Sequence, residues 1–173
     1  MKRASVLLVA LILAAGCGDS DTAPATTDDN RVQFSAALTT ANEVPPLVNA
    51  TEAGASGTAN IDFNLTKDAA GTITAATAHF RVDLTGFPAG SAITAAHIHT
   101  GAAGVQGPVL VSAQVASGEV ALTGGVGTFS RLSIPITPVA NAQAIINNPA
   151  GFYFNVHTQA NTSGVIRGQL VRK

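Results

Sequence analysis

Four side chains in this sequence have types and spacing that fit one kind of chemistry: His97, His99, His157 and Arg167. His97 and His99 flank Ile98, and residues two apart on an extended strand project to the same side. Both imidazoles therefore share a face. His157 ends the run Phe152–His157, in which Phe152, Phe154 and Val156 form an apolar face and Tyr153, Asn155 and His157 the opposite one. By the same parity Arg167 projects away from Ile166 and Leu170. Neutral imidazole suits zinc and copper, and three nitrogens with an open fourth position describe an accessible metal site. Each ligand must lose its proton, so binding is expected to weaken as pH falls through about 6.5. The same parity also fits half-buried histidines that are hydrogen-bonded to loop carbonyls. His79 alternates with Arg81 and Asp83 as an ordinary surface residue and is left out of the ligand set.

Other chemistry is sparse. Glu43 precedes Val44-Pro45-Pro46, where the double proline fixes an extended segment; its carboxylate reads either as an acceptor for an imidazole N–H or as a solvated loop group. Gly124-Gly125-Val126-Gly127 is a hairpin turn, since no Lys-Ser/Thr follows it. No serine sits in Gly-x-Ser-x-Gly, no acid–base pair is evident, and no catalytic residue is assigned. With 9 basic and 10 acidic residues spread along the chain, a nucleic-acid footprint is not indicated.

The elements that must position these groups are strands. Val32, Phe34, Ala36 and Leu38 alternate with polar or small residues, as do Ile61, Phe63 and Leu65, and Ala78, Phe80, Val82 and Leu84. Further period-two runs cover 93–99, 109–115, 128–136, 152–157 and 165–171. Turn signals at 68–71, 88–90, 101–104 and 161–164 separate them. With 46% apolar and 11% charged residues, the expected fold is all-β: an antiparallel Greek-key sandwich or barrel of about eight strands. One short helix is expected over 137–149, between Thr137-Pro138 and Asn148-Pro149.

The chain opens with Lys2-Arg3, an apolar run from Val6 to Leu13, and Ala14-Ala15-Gly16-Cys17. The run is shorter than the roughly 20 residues a spanning helix needs and reads as a signal segment, 1–16. Cys17, the only cysteine, stands where the arrangement resembles a bacterial lipobox, which implies a diacylglycerol anchor. Residues 17–30 then form a lipidated cysteine and a tether too polar to order itself, and 31–173 form one domain. The expected location is the bacterial cell envelope, outside the cytoplasm and lipid-anchored to a membrane through Cys17.

Asn42-Glu43-Val44-Pro45-Pro46, Ala96-His97-Ile98-His99-Thr100-Gly101, Gly107-Pro108-Val109 and Tyr153–Thr158 followed by Gly164–Leu170 resemble the CHRD domain, named from the secreted regulator chordin. More remotely, the order His97, His99, His157, Arg167 is similar to that around copper in copper-zinc superoxide dismutases, which are Greek-key barrels. The bridging histidine, zinc-loop ligands and disulfide of those enzymes have no counterpart here, so a metal would be held singly. The resemblance leaves three readings open: a binding module with a copper or zinc site, a mononuclear copper enzyme in which Arg167 steers an anion, and a structural surface domain without metal.

Overall fold

The computed structural model describes residues 29–173. The signal segment, Cys17 and the tether up to residue 28 lie outside the described residues. Nine strands follow in order: β1 Arg31–Thr39, β2 Ser56–Lys67, β3 Ile73–Thr85, β4 Ile93–Thr100, β5 Val109–Ser112, β6 Gly127–Pro135, β7 Phe152–Thr158, β8 Ile166–Gln169 and β9 Val171–Arg172. The helix, α1, is Ala140–Asn147. It starts later than the proline suggests because Pro138 and Val139 supply the carbonyls that accept its first N–H groups.

Each strand forms where side chains alternate. In β1, Val32, Phe34, Ala36 and Leu38 are buried while Arg31, Ala37 and Thr39 are exposed, so one face builds the core and the other meets solvent. Turn chemistry sets the register: the Asp68 carboxylate accepts from the Ala70 and Thr72 amides and closes β2 onto β3. Gly124 and Gly125 form the expected tight turn, with Thr123 and Val126 exchanging both backbone hydrogen bonds.

The strands make one antiparallel sheet in the order β5-β4-β7-β8-β1-β2-β3-β6, with β9 also on β1. The chain makes a β1-β2-β3 meander and crosses over to β4 and β5. It then returns to place β6 beside β3 and crosses again, so that β7 lies beside β4. Curling brings distant strands together inside, where the Phe80 and Phe154 ring centres are 5.8 Å apart. Phe34, Phe63, Ile61 and Ile98 complete a fully buried interior.

β7 departs from alternation, because every residue from Phe152 to Val156 is buried. Its inner face meets the core; its outer face lies under chain. Segment 42–43 reaches it through Glu43, the loop 101–107 through Gly107, and the loop after β7 through Thr162. That last loop is fixed by the buried Glu52 carboxylate, which accepts from Ser91, Thr158 and Asn161.

Phe80 is fully buried away from this covered face. Phe80→Ala is expected to cost about 3–5 kcal/mol in urea denaturation; a loss below about 1 kcal/mol would mean that the interior repacks freely.

Candidate functional site

β4 and β7 pair so that His97 faces Asn155 and His99 faces Tyr153, with His157 opposite Ala95. These pairs share the outer face, and His157, two residues beyond Asn155, is a diagonal neighbour of His97. Thus the three imidazoles converge: one nitrogen from each lies within 4.8 Å of the others. His97 Nδ1 is 3.3 Å from His157 Nε2.

Backbone carbonyls orient two of the rings. His99 Nδ1 lies 3.0 Å from the Gly107 carbonyl oxygen and His157 Nδ1 2.9 Å from that of Thr162. A carbonyl only accepts, so both rings carry their proton on Nδ1 and leave Nε2 as a lone pair. His97 Nδ1 must then donate to His157 Nε2. His99 Nε2 is buried and has no hydrogen-bond partner. Gly107 owes its place to close packing, since a Cβ there would stand 1.7 Å from the Thr100 carbonyl oxygen.

Burial keeps the cluster neutral. It lowers the His97 pKa from 6.5 to about 4, helped by the neighbouring His157 and His99. Burial also lowers His99 and His157, against the raising effect of their carbonyl bonds.

Beside the imidazoles runs a stack. The Tyr153 ring lies parallel to His99, with centroids 4.8 Å apart, and the Arg167 guanidinium carbon is 3.4 Å from the Tyr153 ring centre. Strand order β4-β7-β8 puts His99 and Arg167 on opposite sides of Tyr153. Arg167 is 1% exposed, and its Nη2 donates to the Ala102 and Val105 carbonyls at 2.8 Å. It faces outward by parity, as expected, yet lies buried because loop 101–107 covers it.

Glu43 is also buried, but its carboxylate accepts from Asn155 Nδ2 at 2.8 and 2.9 Å and makes no bond to an imidazole. The expectation of an imidazole acceptor is thereby corrected: Asn155, between His97 and Arg167 in the sheet, occupies the position next to Glu43. Burial raises the Glu43 pKa from 4.5 to about 7, opposed by Arg167, Asn155 and the Val44 amide. Gly164 fits over this pair at φ +133°, where a Cβ would meet Asn155 Nδ2 at 2.4 Å. His79 lies elsewhere, 3.2 Å from Asn64 Nδ2. The sequence marks Tyr153 and Asn155 only through the parity they share with His157.

The model of the CHRD domain matches residues 34–170. The chain belongs to the CHRD-domain family. No curated protein and no solved structure matches it. The match runs from within β1 to just past the end of β8, so the covered face, its three histidines and both covering loops all lie inside the CHRD domain. Among the described residues no helix is long and apolar enough to cross a membrane.

The raised Glu43 pKa links ionisation to folding. A carboxyl whose folded value is about 7 and unfolded value 4.5 contributes stability that is present below 4.5 and lost as pH rises through 7. Glu43→Gln removes this loss, so the melting temperature of the variant should gain on that of the natural protein between pH 4.5 and 7. A constant difference across that range would contradict a buried Glu43 carboxyl.

Proposed function

We propose that this CHRD domain is a metal-binding module that takes one copper or zinc ion through His97 Nδ1, His99 Nε2 and His157 Nε2. The observation that carries the reading is the buried, unpartnered Nε2 of His99. A buried polar atom without a partner costs roughly 1–3 kcal/mol, and a metal supplies the missing partner. The carbonyl bonds at Gly107 and Thr162 would equally suit histidines that only hold loops in place. They also fix the tautomer a metal needs, and a loop-holding role leaves the buried Nε2 unaccounted for.

The spacing supports the same reading. Metal–nitrogen bonds of about 2.0–2.1 Å in tetrahedral geometry place ligand nitrogens about 3.3 Å apart. The His97–His157 pair stands at 3.3 Å, so the approach falls mainly to His99. His97 must give up its Nδ1 proton on binding; the other two already present lone pairs. Three neutral nitrogens suit copper(II) as well as zinc. The arrangement gives no support to a copper enzyme in which Arg167 steers an anion to the metal, because Tyr153 stands between Arg167 and His99. Attachment of the module to a membrane rests on the signal-like start and Cys17. Cys17→Ala should release the protein from membrane fractions; retention there would count against the anchor.

Calorimetric titration tests the metal reading. One ion per chain should bind, His97→Ala and His157→Ala should each weaken binding more than about 100-fold, and His79→Ala should leave it intact. No saturable binding, or equal loss at His79, would favour a purely structural cluster. The pH dependence differs from that of free histidine. Protons compete with the metal only below each ligand's own pKa, and all three are lowered, that of His97 to about 4. Affinity should therefore hold as pH falls through 6.5 and decline only at lower pH. A decline centred at 6.5 would show that the imidazoles are solvated.

A further inference from the structure

Arg167 has no ion-pair partner within 4 Å among the described residues, although it is 1% exposed. Its Nη2 is engaged by Ala102, Val105 and, at 3.3 Å, the Gln169 side chain. Its Nη1 is buried without any partner. Burying a guanidinium with one nitrogen unbonded is costly unless a counter-charge completes it. Glu43 acts on it only through space, as each lies in the other's field.

Arg167 also lines a cavity of about 280 Å³ between the 41–44 segment and the 101–105 turn, together with Asn42, Val44, Ala103, Gly104 and Gln169. The amides in this wall are committed elsewhere: Asn42 Nδ2 donates to the Arg167 carbonyl, and Gln169 Nε2 to the Gly101, Ala150 and Phe152 carbonyls. Among the side chains of the wall this leaves the Arg167 guanidinium, whose Nη1 has no partner, beside small apolar groups from Val44 and Ala103. That combination suits a small carboxylate with a short alkyl end, its oxygens on the guanidinium and its carbon against the apolar wall.

We propose that this cavity is a binding site for a small monocarboxylate, held by Arg167 Nη1 and separate from the histidine cluster. The Tyr153 ring, between His99 and Arg167, keeps the ligand away from the imidazoles. The site therefore fills whether or not the histidines hold a metal, and it does not depend on the metal reading.

NMR titration of the full, metal-free chain with acetate, against chloride at constant ionic strength, tests this. Acetate should shift the Ala103 and Gly104 amides and the Arg167 guanidinium signals saturably, and chloride should not. Arg167→Gln should weaken acetate at least about tenfold. Should loss of a buried arginine unfold the protein, Ala103→Phe decides the matter, since it blocks the cavity from an exposed position and should weaken acetate similarly. Equal shifts with acetate and chloride, or unchanged affinity in Ala103→Phe, would overturn the proposal. The shifts should stay at the cavity; saturable acetate shifts at the His97, His99 and His157 ring signals in place of those at Ala103 and Gly104 would overturn the separate site.

Discussion

The outer face of β7 lies under two loops and the 42–43 segment, and the character of every polar group beneath them follows from that covering. A strand in an antiparallel sheet ordinarily buries one face and wets the other. Here Tyr153 and Asn155 are as buried as Phe152 and Phe154 behind them. Polar side chains in such a place must be bonded or uncharged. Carbonyls of the covering chain meet the ring N–H groups of His99 and His157, Asn155 meets Glu43, and Tyr153 is held between a cation and an imidazole. Three atoms of this face are left over, His99 Nε2, Asn155 Oδ1 and Arg167 Nη1; the first and the last are those that the two proposed ligands would complete.

Burial acts on the charges of this face in opposite senses. It pushes the imidazoles towards neutrality by lowering their pKa values and pushes Glu43 towards neutrality by raising its own. As pH falls from 6.5 towards 4, the unfolded chain takes up a proton at His97 that the fold refuses, so stability declines. Glu43 works the other way between 7 and 4.5. The two contributions offset each other across mildly acidic pH, where His97 and Glu43 are both held towards neutrality. An uncharged imidazole cluster is the state in which a metal meets the least competition from protons.

Strand parity was legible because burial of one face writes a period of two into β1, β3 and β7, and the same parity put His97, His99 and His157 on outward faces. The Gly124-Gly125 turn was legible from its residue types. Convergence was not, because β4 and β7 lie far apart in sequence and become neighbours only after the chain has crossed the curled sheet twice. Neither was the covering of the site: the 42–46 and 101–107 segments have no periodicity, so nothing in them announced that Arg167 and Glu43 would be buried. Parity states which way a side chain points, and the loops decide whether water waits there. The role of Glu52 is illegible in the sequence for the same reason, as its three donors come from segments 39 to 109 residues away.

On the proposed reading, a covered, neutral trio of imidazoles presents lone pairs to one metal. Long-range proton–nitrogen NMR correlations of the histidine rings, recorded without metal and with one equivalent of zinc, test it most directly. Without metal, His99 and His157 should carry their protons on Nδ1, and His97 should donate from Nδ1. With zinc, His99 and His157 should keep those protons while their Nε2 shifts mark coordination, and the His97 proton should move to Nε2. Tautomers that do not change on adding zinc, or coordination shifts that appear at His79 instead, would contradict the account.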